Sequence, residues 1–523
     1  MVLSVRGMLS STLTSVLLVA TAVKLLLVPS YHSTDFDVHR NWLAVTSRTP
    51  LACWYYERTS LWTLDYPPLF AYFEALLSRV VAPLAPELAD ALHAAPPPSA
   101  SPRAVFVHRA TVMASDAALV VGTSALLSAL SVPPRAGTPL AALVLLSAPL
   151  LLVDHMHFQY NGMLLGLLLG AAALAIRRRL VAAALAFTAL VNAKHLFVVL
   201  GPVVGVHFLA QFVLRQRSVT NLLLLLLALV AGTLLSFAPI LLATVSDPLP
   251  ACANGSPLEQ LRQIGSRLFP FNERGLLHAY WAPNAWALYA GADLVAARAT
   301  GQRNGGALTS GLVESHAQLF SVLPAVPPRV CAALTLLAML PLLVALWRRR
   351  SSSDIDVVFV RALSYASLAA FMFGWHVHEK AILVAVVPLT FVAAATHTDR
   401  QQWLLLSAAG GAALLPLLDP ARPIDRLAGA AMLALFWLVA YLALARLTEA
   451  QKPPAASRWW SERALVAYAV GALVLLPAAV HIALPLLDRQ ARLPFLPLML
   501  TSIYCAAGVA FAWARASWQA VFH

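Results

Sequence analysis

The chain has 523 residues, of which 60% are hydrophobic and only 11% are charged, and its mean hydropathy is +0.75. Continuous apolar runs of about 20 residues fit membrane-spanning helices, which excludes an ordinary soluble domain and disfavours a transmembrane β-barrel. The net charge of +13 comes largely from arginines clustered between apolar runs, which is typical of membrane topology and not of nucleic-acid binding. The four cysteines show neither metal-ligand spacing nor a disulfide framework.

An all-α polytopic membrane protein with about fourteen spans is predicted from the apolar runs. The first run is favoured as an uncleaved helix, although small residues near Ala20 and Ala22 would also permit a signal peptide. The predicted spans are 9–28, 104–131, 138–153, 160–176, 180–193, 195–214, 219–245, 322–347, 355–373, 380–396, 402–418, 424–446, 463–484 and 494–514.

Arginine clusters set the predicted orientation. With a cytosolic N-terminus, clusters such as 177–179 and 348–350 fall on the cytosolic side, which is a positive-inside pattern. Both termini are then cytosolic, and the long segments 29–103 and 246–321 lie on the lumenal side. The second of these contains a glycosylation sequon at Asn254, although Pro257 follows it.

Unusually polar stretches interrupt the apolar pattern at six places, and the predicted topology puts all of them on the lumenal side. We therefore expect them to form one site at the lumenal membrane face, because ionisable residues near apolar spans are costly and usually functional. The stretches are STDFDVHRNW (33–42), LDYPPLFAYFE (64–74), DHMHFQYNG (154–162), NAKH (192–195), SRLFPFNERGLLHAYWAPNAW (266–286) and FGWHVHEK (373–380).

Simpler interpretations of these residues stay open. Asp35 and Asp37 could be solvated loop charges, Asp65 a turn residue, and the tryptophans a membrane-interface belt. The residues Asp154, His155 and His157 could cap helix ends, and 376–380 could be an interfacial cluster. His155-x-His157 and His376-x-His378 could ligate Zn²⁺, but they lack HExxH spacing and no cysteine is nearby, so no metal is predicted.

Lysine usage suggests a phosphate ligand. The chain has only four lysines, and two of them, Lys194 and Lys380, lie in the polar stretches. Lys is a compact point charge suited to a single phosphate, and a carboxylate can deprotonate an attacking hydroxyl. These residue types therefore favour transfer of an activated sugar from a lipid phosphate at the bilayer.

The polar stretches resemble those of the eukaryotic dolichyl-phosphate-glucose-dependent α-1,3-glucosyltransferases of the endoplasmic reticulum. The resemblance covers about residues 31–390 and implies a single GT-C-type transmembrane domain over 1–523, with less specific spans in 391–523. It implies an inverting, metal-independent transfer without a cofactor, from dolichyl phosphate glucose to a dolichyl-pyrophosphate-linked oligosaccharide. The segment LLHAYWAPNAWALY and Gly374-Trp375-His376 are similar to the member that adds the second glucose.

The resemblance also assigns roles to residues. Asp35 matches the general base, and His378 and Lys380 lie where the family holds the donor phosphate. The other predicted substrate-binding residues are Asp37, Arg40, Trp42, Asp65, Tyr66, Asp154, His157, Gln159, Asn161, Lys194, His195, Arg274, His278, Trp281, His376 and Glu379.

Three other functions are compatible with the sequence. The first is the sister activity, which adds the first glucose to the unglucosylated glycan. The second is a lipid or sugar transporter, although the chain shows neither an internal repeat nor an ionisable path through its spans, both of which are common in transporters. The third is a non-catalytic subunit, for which Asp35 would be dispensable.

Overall fold

The computed structural model describes residues 11–90, 92, 98–246, 256–271, 274–278, 280–301, 320–418, 422–450, 461–487 and 495–522. Within these ranges the chain is helical, and the one β-bridge pairs Leu277 with Val377. The prediction of an all-α protein is therefore confirmed. The chain forms two compact units: 1–132, 153–201 and 208–270 make the first, and 133–152, 202–207 and 271–523 make the second.

The first unit consists mostly of apolar helices. The polar segment that follows the first of them is itself helical, Thr34–Arg48. The α-helices of the unit are Ser11–Leu27, Thr34–Arg48, Pro68–Val81, Pro102–Ser115, Ala117–Ala129, Asn161–Ile176, Leu180–Ala193, Val219–Ser246 and Pro257–Leu268. Shorter helical turns are Leu51–Cys53, Pro86–Leu88, His195–Leu200 and Leu209–Leu214. Two further segments, Leu151–Met156 and Gly201–Phe208, include residues of both units.

The second unit has the same helical character. Its α-helices are Pro134–Leu145, Ala148–Leu150, Ala285–Ala299, Pro328–Arg348, Ile355–Phe373, Leu383–Thr390, His397–Ala412, Pro423–Thr448, Glu462–Val470, Leu476–Ala478, Leu484–Leu487 and Leu496–Phe522. Shorter turns are Glu379–Ile382, Leu415–Leu417, Gly471–Leu475 and Ala479–Ala483.

Nine helices in the described ranges are long and apolar enough to cross a membrane, and three apolar helices are shorter. The predicted count of fourteen spans is therefore not confirmed. The predicted spans 380–396 and 402–418 correspond to Leu383–Thr390, in which every residue is buried, and to His397–Ala412, which is buried from Asp399 onward. A helix that is apolar all round can be buried in protein as well as in lipid, so hydropathy alone does not show whether these two helices cross the membrane.

Close backbone contact packs two helices of the first unit. Gly122 on Ala117–Ala129 faces Gly166 on Asn161–Ile176, and a Cβ on either glycine would overlap the backbone of the other helix. Small residues of this kind let apolar helices approach closely where no hydrophobic effect drives their association. This contact fixes the helix that begins at Asn161, and with it the start of the loop that precedes it.

The cysteines differ from the sequence prediction at one position. Cys53 is disulfide-bonded, whereas Cys331 and Cys505 are buried free thiols. The prediction that the cysteines form no disulfide was therefore wrong at Cys53, because spacing cannot reveal a bond between distant parts of a chain. Cys252 and the Asn254 sequon lie outside the described residues.

Candidate active site

Asp35 lies in the first turn of the helix Thr34–Arg48, and a serine fixes its position. The Ser33 hydroxyl accepts a hydrogen bond from the backbone N–H of Asp35 at 3.1 Å and donates one to the His157 carbonyl at 2.5 Å. Serine is a preferred N-cap residue, and carboxylates are favourable in the first turn of a helix. The helix start is thereby joined directly to the loop that carries His157.

Two side chains of that loop contact one carboxylate oxygen of Asp35. Gln159 donates from Nε2 to Asp35 Oδ2 at 2.5 Å, and His157 Nε2 lies 3.2 Å from the same oxygen. The Asp35 side chain keeps 21% of its surface exposed. It is therefore held in one orientation while solvent or a substrate can still reach it.

Behind Gln159, an asparagine and an aspartate continue the hydrogen bonding. Asn161 Nδ2 donates to Gln159 Oε1 and to Asp154 Oδ1, both at 2.9 Å. The second oxygen of buried Asp154 accepts the backbone N–H of Gly162 at 2.6 Å. A Cβ at Gly162 would overlap the Asp116 carboxylate and lie 3.3 Å from an oxygen of Asp154, so a side chain here would displace these groups.

Lys194 ends this series of contacts. Its Nζ donates to Asn161 Oδ1 at 3.2 Å and lies 4.8 Å from the centre of the Tyr66 ring. A cation over an aromatic face is attracted by the ring quadrupole. Asp35, Asp154, His157, Gln159, Asn161 and Lys194 thus form one group in the first unit, which we call the carboxylate cluster.

The other predicted residues of the first unit have contacts within the fold. Arg40 pairs with Asp37 at 3.3 Å and donates to the carbonyls of Pro98 and Glu87. Buried Trp42 donates to the carbonyls of Trp62 and Thr63. These contacts stabilise the segment, and substrate binding by Asp37, Arg40 and Trp42 stays a prediction.

Asp65 and His195 lie beside aromatic side chains. Burial raises the pKa of the Tyr55 hydroxyl, and neighbouring Tyr72 and Asp65 add to this shift. The His195 ring lies 5.2 Å from that of Phe269. Substrate binding by both residues stays a prediction.

In the second unit, two distant polar stretches are joined through their backbones. Leu277 bridges to Val377, and the His376 N–H donates to the Leu276 carbonyl at 3.0 Å. Asn284 and Trp286 secure the same pairing, because their side chains donate to the carbonyls of Phe371 and Gly374. These bonds bring Arg274, His278, His376, His378, Glu379 and Lys380 into a second group, which we call the histidine cluster.

Three imidazoles lie at the centre of the histidine cluster. The possible ligand atoms of His278, His376 and His378 all lie within 4.8 Å of one another, the only such metal-type group among the described residues. His376 Nδ1 lies 2.8 Å from the Gly275 carbonyl, so it carries a proton there, and His278 Nδ1 lies 3.4 Å from Glu379 Oε2. Metal-binding histidines often have such carbonyl or carboxylate partners, so the geometry alone permits a metal ion.

The electrostatics of the histidine cluster favour an anion. Burial lowers the pKa of His376 to about 4, and neighbouring His278 and Arg274 contribute to the shift. Burial also lowers the pKa of His378 well below its usual value, with His278 and Lys380 contributing. The permanent positive charges of Arg274 and Lys380 act on these imidazoles, and they would attract a bound anion and repel a metal cation.

Glu379 is the counterion of this cluster. Its side chain is fully buried, with 0% exposure. Burial would raise its pKa, but His278 first, and Lys380 after it, lower the pKa below the usual value. Glu379 is therefore ionised and lies beside His278, and substrate binding by Glu379 stays a prediction.

Unusual backbone conformations mark both clusters. Six non-glycine residues in the described ranges have positive φ, among them Phe158 at 84°, Trp281 at 44° and His376 at 52°. Such conformations are uncommon and are often retained at functional sites. Trp281 is buried and donates its N–H to the His278 carbonyl, so it shapes the segment that carries His278.

One buried polar group was missed by the sequence analysis. Asp116 Oδ2 accepts from Lys24 Nζ at 2.6 Å and lies 2.9 Å from His155 Nε2. Both Lys24 and Asp116 interrupt apolar runs, which is a signal that could have found them, because such residues are costly unless paired. His155 therefore has a carboxylate partner of its own, Asp116, separate from the contact of His157 with Asp35.

The six polar stretches thus supply two clusters, one in each unit, and the prediction that they form a single site stays a prediction. One cluster offers an oriented carboxylate that can accept a proton, and the other offers cationic and neutral donors suited to a phosphate. The same chain has helices long and apolar enough to cross a membrane. Together with these groups, they define an integral-membrane group-transfer enzyme.

The comparisons place the chain within that class. It belongs to the ALG6, ALG8 glycosyltransferase family, whose family model matches residues 20–516. This family contains dolichol-pathway glycosyltransferases of the endoplasmic reticulum.

Individual relatives match over most of their length. One from Drosophila melanogaster is 41% identical, with 94% of this chain and 91% of the relative covered, and is named probable dolichyl pyrophosphate Glc1Man9GlcNAc2 alpha-1,3-glucosyltransferase. Relatives from Mus musculus (37% identical; 95% and 93% covered) and Arabidopsis thaliana (38%; 95% and 95%) have the same name without "probable". The predicted resemblance to the second-glucose member is confirmed by these names.

Proposed function

We propose that this protein transfers glucose from dolichyl phosphate glucose to the monoglucosylated lipid-linked oligosaccharide Glc1Man9GlcNAc2, forming an α-1,3 linkage. The names of relatives that cover more than nine-tenths of the chain support the acceptor. The observation that carries the chemistry is the Asp35 carboxylate, which is partly exposed and held by Gln159 and His157.

In the proposed reaction, the acceptor 3-hydroxyl oxygen attacks the anomeric carbon of the donor glucose. The hydroxyl proton passes to the Asp35 carboxylate as the new bond forms. The bond from the anomeric carbon to the phosphate oxygen breaks, and dolichyl phosphate leaves. Direct displacement inverts the anomeric centre, so a β-linked donor gives an α-glucoside without a second, nucleophilic carboxylate.

The donor phosphate is assigned to the histidine cluster. Lys380 supplies a permanent charge, and His378 supplies a donor that is neutral because of burial and its cationic neighbours. As the leaving group departs, negative charge develops on the phosphate, and donors arranged in advance stabilise that charge. Arg274 contributes positive charge to the same cluster.

We also propose a location and topology. The protein lies in the endoplasmic reticulum membrane as one GT-C-type transmembrane domain over 1–523, with a lumenal active site and cytosolic termini. The segments 29–103 and 246–321 are its lumenal loops, and shorter apolar helices would bring the spans toward the predicted fourteen. The disulfide at Cys53 supports this orientation, because disulfides persist in oxidising compartments such as the endoplasmic reticulum lumen.

An assay with two acceptors tests the function. Purified protein in detergent is given dolichyl phosphate glucose with either the unglucosylated glycan or the glycan bearing one α-1,3-glucose. We expect transfer to the monoglucosylated acceptor and little transfer to the other. Equal or reversed preference would point to the sister activity, and no transfer, in detergent where no gradient exists, would favour a transporter. A β-linked product would contradict the mechanism.

A further inference from the structure

A continuous series of hydrogen bonds joins a lysine to the proposed base. Lys194 Nζ donates to Asn161 Oδ1 at 3.2 Å, Asn161 Nδ2 donates to Gln159 Oε1 at 2.9 Å, and Gln159 Nε2 donates to Asp35 Oδ2 at 2.5 Å. We call the two side chains in the middle, Asn161 and Gln159, the amide relay. All four residues belong to the first unit.

The lysine determines which way each amide points. An ammonium group can only donate hydrogen bonds, whereas each amide side chain has one donating and one accepting end. Lys194 therefore requires the oxygen of Asn161 to face it, which leaves the Asn161 nitrogen to face Gln159. The oxygen of Gln159 is then engaged, and its N–H is directed to Asp35.

The other contacts of the relay support the same orientation. The Asn161 nitrogen also donates to Asp154 Oδ1 at 2.9 Å, and Asp154 is held by the Gly162 N–H. Lys194 is placed at the end of the helix Leu180–Ala193, where its own N–H donates to the Leu190 carbonyl and a positive charge is favourable. The Tyr66 ring lies below the ammonium group.

We propose that Lys194 is a positioning residue that sets the direction of the amide relay, so that Gln159 presents an N–H and not an oxygen to the base Asp35. This proposal rests on the proposed function and refines it, because Lys194 then acts through Asn161 and Gln159. A donor on Oδ2 stabilises the ionised carboxylate, which is the form that accepts a proton. A reversed amide would put an oxygen against it.

Other titratable or charged groups near Asp35 must be separated from this effect. His157 contacts Oδ2 directly, Asp37 lies on the same helix, and His32 precedes that helix. Asp154 and Tyr66 contact the relay residues Asn161 and Lys194. None of these five residues is changed in the variants below. A change of the pH profile that Lys194→Met and Gln159→Glu have in common is therefore due to the relay.

The test measures kcat, and KM for both substrates, between about pH 4 and about pH 8. In Lys194→Met, we expect the acidic limb of the kcat profile to move upward by about one pH unit, because a carboxylate without its donor ionises less readily. We expect kcat on the plateau to fall about tenfold and both KM values to stay within about twofold, as for an interaction made in the transition state. Lys194→Arg, which also only donates, should restore the wild-type profile.

Two further variants keep the test decisive. Gln159→Glu puts a carboxylate oxygen against Asp35 and should move the acidic limb upward even if Lys194→Met fails to fold. Arg58→Met removes one exposed positive charge from the same unit and should leave the profile unchanged.

Each result is decisive. A raised donor or acceptor KM in Lys194→Met with an unshifted pH profile would overturn the proposal and make Lys194 a substrate ligand. An unshifted profile in Gln159→Glu would also overturn it. Failure of the proposed function is recognised separately, because the wild-type protein would then transfer no glucose.

Discussion

The carboxylate cluster and the histidine cluster hold their charged groups in different ways. Around Asp35, hydrogen bonds of 2.5 to 3.2 Å join the residues, and the amides connect the carboxylate to a lysine. Around His378, burial lowers the pKa of the imidazole, neighbouring His278 and Lys380 lower it further, and buried Glu379 lies beside His278. The first arrangement is complete by itself, whereas the second becomes more favourable when an anion binds.

This difference matches the two roles in the proposed reaction, a base at Asp35 and a phosphate site at the histidine cluster. A base must keep its orientation and stay ionised before the substrate arrives, so its partners are built into the protein. A phosphate site must gain stability when the ligand binds, and cationic and neutral donors arranged in advance provide it. The two clusters differ as the two halves of a displacement reaction require, and the following variants test that correspondence.

The largest effect is expected at the base. Asp35→Asn keeps the size of the side chain but cannot accept a proton, so turnover should fall by about 10²-fold or more. Folding and donor binding should change little, because Ser33 caps the helix through the backbone of Asp35. The measurement is turnover with the monoglucosylated acceptor.

Asp37→Asn is the matched control, since Asp37 lies in the same helical turn and pairs with Arg40. Its turnover should stay much closer to the wild-type value. If Asp35→Asn remained active while Asp37→Asn was inactive, the base would be Asp37.

A smaller effect is expected at the donor phosphate. Lys380→Ala removes a charge-assisted hydrogen bond to the phosphate, which costs about 1.5–3 kcal/mol, or roughly ten- to a hundredfold. The loss should be seen in kcat/KM for dolichyl phosphate glucose. Unchanged kinetics at limiting donor would make Lys380 an interfacial residue.

The same measurement ranks the two histidines. His376 Nδ1 is engaged with the Gly275 carbonyl, so we expect His378→Ala to weaken use of the donor more than His376→Asn does. The reverse order would assign the phosphate contact to His376.

Sequence patterns predicted some of these features well, because they depend on local composition. Long apolar runs identified helices such as Val219–Ser246, and the motif stretches contained every member of both clusters.

Other features depend on contacts between distant residues and could not be predicted. The pairing of Lys24 with Asp116 joins positions 92 residues apart, and the direction of the amide relay depends on which atom faces Lys194. Hydropathy does not distinguish a protein interior from lipid, so it did not reveal that every residue of Leu383–Thr390 is buried within the protein. The disulfide at Cys53 likewise had no local signal.

A modest effect of pH on stability should originate in the histidine cluster. The pKa of His376 is lowered to about 4 by burial and by nearby positive charge, below the usual value of about 6.5. The unfolded state therefore binds more protons between these values, and stability should be lost as the pH falls from about 6.5 toward 4.

His376→Asn should flatten this dependence in thermal unfolding measured between about pH 7 and about pH 5. Asparagine tolerates the positive φ at this position and does not titrate. His32 in the first unit also has a lowered pKa. The quantity to compare is therefore the slope of the unfolding temperature against pH in the variant and in the wild type. Identical slopes would mean that His376 does not contribute.

No change in turnover is expected when divalent cations are removed. The three imidazoles of the histidine cluster are close enough together to hold a metal ion. Burial lowers the pKa of His378, and Lys380 and Arg274 add to the shift; the positive charges of these two residues would repel a cation at the same place. Purified enzyme treated with EDTA should match a sample given EDTA already saturated with calcium. Loss of activity that Zn²⁺ or Mn²⁺ restores, together with loss of that response in His376→Asn, would instead make these histidines metal ligands and move the donor phosphate onto the metal.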